Sequence, residues 1–525
     1  MRPVAASFLA PFLAITAGAA GVLGLPPYGW VVATILALAL LIALVWSVTP
    51  RRAAWYGFLF GLVHFTWGCH WLVTSLHQHG GIALPLAWLM LLALAAILAI
   101  YPALFAALLG WLLPPAESGA RLAWLAPTLW VGLEWLRAHL FTGFPWNLIG
   151  YAWNDWPVVL QSADLLGVYG LSWLLLWLAA MVVRVVLWLG QQQWRAVVLQ
   201  GLLPVVLVLA LVYGYGSYRQ QQLLMAQQSA ATLRVAMVQG NVPQQLKWDR
   251  AFMATSLEVY QQLSRSLVSS DGPSVDLPVD LIVWPETAVV FYVNQTESVR
   301  RLLTDLSRQV GAPILTGAPT MELNPRRFYN SALLIDGSRP DTLQRYDKYH
   351  LVPFGEFIPL RWLLPTTLTK FTEGTEDFAR GPGPEPMPWS AGALGILICY
   401  EAIFPDEVRQ LAASGTRWLV NLTNDGWFGP SAKPQHLAMA RLRAIENRLP
   451  MIRVANTGIS AVFDQTGAQL GEIASDRRGV RVVTLPDGQG TPTLQQTLLP
   501  WLPWLCLFGC LPFWRVRVLL QRFQH

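Results

Sequence analysis

Three residues in the second half of the chain have side chains that together could carry out nucleophilic catalysis: Glu286, Lys348 and Cys399. Glu286 and Cys399 follow apolar runs that are typical of strands, LIVWP and LGILI, and Lys348 follows the predicted strand that carries LQRY. A thiol needs a base to become a thiolate, and the oxyanion formed during acyl transfer needs a positive or hydrogen-bonding partner. Glutamate, lysine and cysteine can supply these three roles.

Each of these residues also has an ordinary structural explanation. Free cysteine is among the most buried residue types, so Cys399 at the end of a strand could be inert core filling. Glu286 follows a Trp-Pro turn and could cap a helix, while Lys348 lies beside Asp347 and could be an exposed charge. The three residues alone therefore leave catalysis and plain structure both open.

The composition favours a membrane protein. Of the 525 residues, 54% are hydrophobic and only 13% are charged, and the mean hydropathy is +0.42, which is too apolar for an ordinary soluble chain. Tryptophan occurs 26 times, and its amphipathic ring favours the membrane–water boundary. The net charge of +6 comes without a long basic run. This argues against nucleic acid as a partner and leaves anionic lipid headgroups open.

The cysteines and histidines predict neither a disulfide framework nor a metal site. The four cysteines do not have the spacing of a zinc ribbon, and the histidines near Cys69 lack a carboxylate or second thiol in a metal-binding pattern. We therefore expect no metal. The cysteines are Cys69, Cys399, Cys506 and Cys510.

Apolar runs of about 20 residues, each long enough to cross a bilayer, predict eight transmembrane helices. Seven precede a long stretch of different character and the eighth follows it. The first resembles a signal peptide, but six further runs follow directly, so we expect it to be retained. The predicted spans lie near 6–24, 29–47, 53–76, 83–113, 121–139, 163–189, 196–215 and 496–514.

Positively charged residues predict the orientation and the domains. If the spans alternate, most arginines near their ends fall on one side, which should be cytoplasmic. We therefore expect both termini in the cytoplasm of a bacterial inner membrane protein and the large segment on the periplasmic side. The predicted domains are 1–216 with seven spans, 217–494 as an extracytoplasmic catalytic domain, and 495–525 with the eighth span and a cytoplasmic tail.

The segment 217–494 alternates between strand and helix patterns. LRVAMVQGNV is typical of a strand, whereas DRAFMATSLEVYQQLSRSL has apolar residues at helical spacing. The alternation continues through LGILI, TRWLVNLTND and QHLAMARLRAIENR. Apolar strands separated by helices predict one α/β domain in which helices cover the faces of a sheet.

A set of longer motifs resembles the apolipoprotein N-acyltransferase family, the membrane branch of the nitrilase or carbon-nitrogen hydrolase superfamily. The resemblance covers the whole chain and implies an αββα sandwich inserted before the last span, with Glu286, Lys348 and Cys399 as the catalytic triad. It rests on QGNVPQQLKWD (239–249), VWPETA (283–288), YDKYHLVPFGEF (346–357), ICYEAIFPD (398–406) and NLTNDGWFG with the later QH (421–436).

The same resemblance implies supporting residues. Glu356 matches the second glutamate of the superfamily, Tyr400 and Glu401 match the residues after the family's cysteine, and Trp248 matches the tryptophan of a KWD motif. Trp248 could instead anchor the domain at the bilayer surface, and Glu356 could form an ordinary salt bridge. From its apolar, tryptophan-rich character, we also expect the loop 140–162, with Trp146, to line a lipid entrance.

The activity implied is acyl transfer in two steps. A membrane phospholipid donates an acyl chain to Cys399 as a thioester, and the α-amino group of the diacylglyceryl-cysteine of a lipoprotein accepts it. We expect a monomer with these two partners and no nucleic acid. The alternatives are a membrane-anchored amidase or nitrilase, whose triad would be identical, and a transporter or lipid-binding scaffold with an inactive domain.

Overall fold

The computed structural model describes residues 9–46, 48–113, 120–244, 247, 250–268, 278–359, 361–362, 377–488 and 492–522. The chain divides into two compact units. The helical unit comprises Met1–Val73, Ala83–Gln221 and Thr497–His525, and the sandwich unit comprises Thr74–Ile82 and Gln222–Gln496.

The helical unit is built from apolar helices. Three described helical stretches are long and apolar enough to cross a membrane, namely Leu84–Leu112, Ala163–Gly190 and Trp194–Gln227, and they mark the chain as a membrane protein. The count of eight spans remains a prediction. The helices are α1 (Leu9–Val22), α2 (Val31–Trp46), α3 (Pro50–Gly68), α4 (Trp71–Thr74), α5 (Leu84–Leu112), α6 (Ala120–His139), α7 (Pro157–Leu160), α8 (Ala163–Gly190), α9 (Trp194–Ala196) and α10 (Leu203–Gln227), with α16 (Leu502–Arg522) after the sandwich.

Small residues let α3 and α5 pack closely. A Cβ atom on Gly57 would lie 2.3 Å from the carbonyl oxygen of Pro102, and one on Gly61 would lie 2.8 Å from the Cα atom of Ala99. Apolar side chains gain little from leaving lipid, so helix association in membranes depends on such close backbone approach.

The predicted span 53–76 ends earlier than expected. Helix α3 ends at Gly68, and a π-helical turn covers Ser75–His79. Residues Thr74–Ile82 belong to the sandwich unit, where the Ser75 hydroxyl donates to the carbonyl of Trp427 at 2.6 Å. The polar sequence SLHQH therefore belongs to the sandwich unit and not to helix α3.

The sandwich unit contains two β-sheets. The first has the order β11-β1-β2-β3-β4-β5 and the second β10-β9-β8-β7-β6. Strands β1 to β3 run parallel, as do β6 to β8. The strands are β1 (Thr232–Gln239), β2 (Leu281–Val283), β3 (Ile314–Leu323), β4 (Arg326–Ile335), β5 (Leu343–Asp347), β6 (Leu394–Ile398), β7 (Trp418–Thr423), β8 (Met451–Ala455), β9 (Ser460–Phe463), β10 (Gln469–Ile473) and β11 (Gly479–Pro486).

The two sheets pack face to face, and helices cover their outer faces. Along β1, Val235 and Met237 join the core between the sheets, whereas Ala236 and Val238 join the core beneath the helices, as the two-residue period of a strand requires. The alternation of strands and helices predicted a single covered sheet, which is wrong, and the implied αββα sandwich is observed. The covering helices are α11 (Arg250–Arg265), α12 (Glu297–Val310), α13 (Pro405–Ala413) and α14 (Ala432–Asn447), and α15 (Leu494–Leu498) follows β11.

Candidate active site

Cys399 lies directly after β6, where the chain turns sharply. Its φ is +53°, in the left-handed region, which costs a non-glycine residue about 1–3 kcal/mol. A turn of 3-10 helix covers Cys399–Ile403, and the cysteine side chain is buried. Backbone strain of this kind concentrates at functional sites, because the surrounding contacts must hold it in place.

Glu286, Lys348 and Glu356 form one buried charged cluster. The Lys348 ammonium donates to Oε1 of Glu356 at 2.9 Å and lies 3.7 Å from Oε1 of Glu286. Asn330 on β4 donates from Nδ2 to both carboxylates, at 2.8 Å to Glu286 and 3.0 Å to Glu356. The backbone N–H of Lys348 donates to the Asn330 carbonyl at 2.8 Å. The side chain and backbone of Asn330 therefore hold Glu286, Glu356 and Lys348 in position relative to one another.

The second oxygen of Glu286 is available to act as a base. Oε2 is buried and accepts no hydrogen bond from the residues that the structure describes. The backbone of this glutamate is held from the other side, where the buried Lys247 ammonium donates to its carbonyl at 3.3 Å. Burial lowers the pKa of Lys247 to about 8, against the opposing effect of the Glu286 carboxylate.

The electrostatics favour a protonated thiol at rest. Burial raises the pKa of Cys399, and the negative charge of Glu286 raises it further, while the Lys348 cation acts in the opposite direction. Burial alone would lower the pKa of Lys348, but the carboxylates of Glu356 and Glu286 outweigh it and hold that pKa above its ordinary value. Lysine thus stays charged and the thiol needs a base before it can attack.

Glu401 joins the strand that carries the cysteine to the loop that carries the lysine. Its Oε2 accepts the backbone N–H of Ile398 at 2.7 Å, and its Oε1 accepts the backbone N–H of Tyr349 at 2.7 Å. Ile398 precedes Cys399 and Tyr349 follows Lys348, so one fully buried carboxylate sets the spacing of two candidate catalytic residues.

The remaining predicted residues lie in different surroundings. Tyr400 is buried and its ring contacts Phe404, with 5.1 Å between ring centroids. Trp146 is fully buried in the helical unit, with its ring centroid 4.7 Å from that of Trp71. Trp248 falls outside the described residues. The roles of all three stay predictions.

Two residues of the site escaped the sequence analysis. Asn330 is a polar residue inside an apolar strand, which is a signal that could have singled it out, since buried amides need partners. Lys247 stands next to Trp248 in the KWD motif and has no distinguishing feature in the sequence. Among the described residues, no group of three histidine, cysteine or carboxylate side chains could hold a metal ion.

The two-sheet sandwich places this domain in the carbon-nitrogen hydrolase class, because residues 234–493 match the family described as carbon-nitrogen hydrolase. The crystal structure of a carbon-nitrogen hydrolase from Helicobacter pylori G27 also matches, with 16% sequence identity and a TM-score of 0.37 over 53% of this chain and 94% of that chain.

Matches that include the helical unit identify a more specific family within this class. Residues 17–181 match the apolipoprotein N-acyltransferase N-terminal domain. The apolipoprotein N-acyltransferase of Geobacter metallireducens is 35% identical over 448 residues, or 85% of this chain and 82% of that protein. The one from Vibrio cholerae serotype O1 is 32% identical over 527 residues, or 98% of each chain. The chain belongs to the apolipoprotein N-acyltransferase family, which confirms the resemblance.

Proposed function

We propose that this chain is an acyltransferase that moves an acyl chain from a membrane phospholipid to the N-terminal diacylglyceryl-cysteine of lipoproteins. The observation that carries the proposal is the strained, buried Cys399, whose pKa responds to the charges of Glu286 and Lys348 in the buried Glu–Lys–Glu cluster. The helices of the same chain match the apolipoprotein N-acyltransferase N-terminal domain.

In the first step, Oε2 of Glu286 accepts the thiol proton and Cys399 attacks the ester carbonyl of the phospholipid. Lys348 and the backbone N–H after the cysteine stabilise the oxyanion. The ester C–O bond then breaks, the lysophospholipid leaves with the proton from Glu286, and a thioester remains on Cys399.

In the second step, the α-amino group of the diacylated lipoprotein attacks the thioester carbonyl. Glu286 takes a proton from the amine, the C–S bond breaks, and the sulfur regains its proton. The product carries an amide-linked third acyl chain. Glu356 and Asn330 keep Lys348 and Glu286 in position during both steps, and no cofactor takes part in either step.

The arrangement in the membrane is part of the same proposal. Eight helices span the bilayer, both termini are cytoplasmic, and the domains are 1–216, 217–494 and 495–525, with the middle one periplasmic. The enzyme acts as a monomer on two bilayer-anchored substrates. This arrangement brings the thiol to the surface where both acyl donors and lipoproteins are located.

The test uses the purified full-length protein in detergent with phosphatidylethanolamine vesicles. We expect its intact mass to increase by one acyl chain, and a Cys399→Ala variant to show no increase. Adding a synthetic diacylated lipopeptide should remove the increment and yield an N-acylated peptide. An unchanged mass of the wild-type protein would contradict the mechanism.

The second candidate is a membrane-anchored amidase, because the same cluster would serve an acyl-enzyme that reacts with water. The lipopeptide assay separates the two activities. Discharge into free fatty acid, at the same rate with and without lipopeptide, would support hydrolysis, whereas discharge that requires the peptide amine supports transfer.

A further inference from the structure

The backbone carbonyl of Cys399 is held by two buried side chains that the mechanism above does not use. Nδ2 of Asn421, on β7, donates to this carbonyl at 3.3 Å. Nε2 of His436, on α14, lies 3.1 Å from the same oxygen. Both side chains have no exposed surface. Because a carbonyl oxygen can only accept, Nε2 of His436 must carry a proton.

Arg453 on β8 sets the orientation of both donors. Its Nη1 donates to Oδ1 of Asn421, which turns the amide nitrogen of Asn421 toward the Cys399 carbonyl. Its Nη2 lies 3.2 Å from Nδ1 of His436 and donates to Oδ2 of Asp425 at 2.6 Å. The Arg453 guanidinium therefore contacts both Asn421 and His436, the two side chains that contact the Cys399 carbonyl.

The other ring nitrogen of His436 faces both a carboxylate and a cation. Nδ1 lies 3.1 Å from Oδ1 of Asp425 and 3.2 Å from Nη2 of Arg453. Burial and the Arg453 cation lower the pKa of His436, against the opposing effect of Asp425. The proton on Nε2 follows from the Cys399 carbonyl, which can only accept.

We propose that Asn421 and His436, both oriented by Arg453, are positioning residues that aim the backbone N–H of Tyr400 into the active site. The carbonyl of Cys399 and the N–H of Tyr400 belong to one planar trans peptide group and point in opposite directions. Because Asn421 and His436 hold the Cys399 carbonyl toward the interior of the domain, the Tyr400 N–H points toward the active site. There it serves as the oxyanion donor of the proposed acyl transfer. The same two bonds hold the strained φ of Cys399.

This inference rests on the proposed function, and its test separates transition-state stabilisation from thiol reactivity. Two rates are measured on the full-length protein: acylation of Cys399 by phosphatidylethanolamine in a single turnover, followed by intact mass, and alkylation of Cys399 by iodoacetamide. Alkylation forms no oxyanion, so only acylation depends on the N–H of Tyr400. A wild-type protein that alkylates but never acylates would overturn the proposed function itself.

We expect His436→Leu to slow acylation about 100-fold, the size of effect seen when one oxyanion donor is lost, with alkylation within about twofold of the wild-type rate. His436→Gln, whose amide can donate to the same carbonyl, should recover at least a tenth of the wild-type acylation rate. Asn421→Leu removes the other donor to the Cys399 carbonyl and should slow acylation in the same way. With two variants, the test still works if one of them folds poorly.

The matched control is Ser307→Ala, which removes another buried side chain bond to a backbone carbonyl, from Ser307 to Ala312 at 2.8 Å, and should leave both rates unchanged. Acylation at the wild-type rate in His436→Leu would overturn the inference. So would a parallel fall in alkylation and acylation, because that result indicates general damage to the site.

Discussion

Asn330 shows how one neutral side chain can organise a charged cluster. Two carboxylates and one ammonium are buried together, and such a group is stable only if its remaining hydrogen-bonding positions are filled. The two hydrogens of the Asn330 amide group bond to Glu286 and Glu356. The Asn330 amide therefore bridges the two glutamates, and both carboxylates lie close to Lys348.

Replacing Asn330 by Leu should slow acyl-enzyme formation at least tenfold. The change leaves Glu286 and Glu356 without their shared donor, and loss of a buried bond to a charged group costs about 1.5–3 kcal/mol. Tyr329→Phe on the same strand is the control, because its hydroxyl bonds Glu322 at the edge of the domain. Equal acylation rates in the two variants, measured by intact mass, would be inconsistent with this role for Asn330.

The raised pKa of Cys399 predicts a pH dependence of its reactivity. Burial and Glu286 raise this pKa, so the thiolate is a small fraction at neutral pH and grows about tenfold per pH unit. The rate of alkylation of Cys399 by iodoacetamide should therefore keep rising between about pH 7 and 9. Peptide mapping identifies the modified cysteine, with Cys399→Ala as the blank. A plateau below pH 8 would mean that the thiol is not held protonated.

At the scale of elements, the turn that carries Glu286 depends on a close backbone approach from β3. A Cβ atom on Gly317 would lie 2.6 Å from both the Cα atom of Glu286 and the backbone nitrogen of Thr287. These are backbone atoms that cannot move without displacing the turn. The turn that carries Glu286 can therefore lie this close to β3 only because residue 317 is a glycine.

Gly317→Ala should lower the free energy of unfolding by about 1–3 kcal/mol through this overlap and reduce acylation more than tenfold by shifting Glu286. The control is Gly383→Ala, where an added Cβ meets no atom within 4 Å. Denaturation curves and single-turnover acylation measure the two effects. If Gly317→Ala acylates as fast as Gly383→Ala, the turn does not need this contact.

In the helical unit, the burial of Trp146 changes what its replacement can test. The sequence suggested that Trp146 lines a lipid entrance, but truncating a fully buried tryptophan packed on Trp71 should cost about 3–5 kcal/mol of stability. We therefore expect a lower melting temperature. Phe141→Ala in the same loop is the control, because Phe141 is 99% exposed and should leave the melting temperature unchanged.

At the scale of the whole molecule, the proposed orientation can be tested with single cysteines. Ser338 and Gln191 are both exposed, and the proposal puts Ser338 outside the cytoplasm and Gln191 inside. A membrane-impermeant maleimide should label Ser338→Cys in spheroplasts and label Gln191→Cys only after lysis. Labelling of both, or the reverse pattern, would contradict the orientation.

The sequence predicted strands and helices well where the pattern was local. Helix α12 ends at Val310 and is followed by Gly311 in a left-handed conformation, as glycine after a helix predicts, and β6 matches LGILI. The division of the strands between two sheets was not local. Strand β1 pairs with β11, and the chain passes from the first sheet to the second between β5 and β6. Such pairing depends on residues far apart in the chain, so alternation alone suggested one sheet.

For the site, residue types and motifs singled out the candidate catalytic residues, while the residues that hold them in place were harder to find. Glu286, Lys348 and Glu356 do lie in one cluster, and Glu401 bonds on both sides of it. Lys247 and Arg453 act on backbone or amide groups far away in the chain. No spacing rule connects such positions, because their relation exists only after the sheets have formed.

Burial and protonation of the Cys399 thiol also affect how well it resists oxidation. Oxidation to sulfenic acid and disulfide exchange both proceed through an accessible thiolate, and Cys399 offers little of either accessibility or negative charge. A thiol kept in this state resists oxidants. In an oxidising compartment, the same features that slow its activation would preserve it between turnovers.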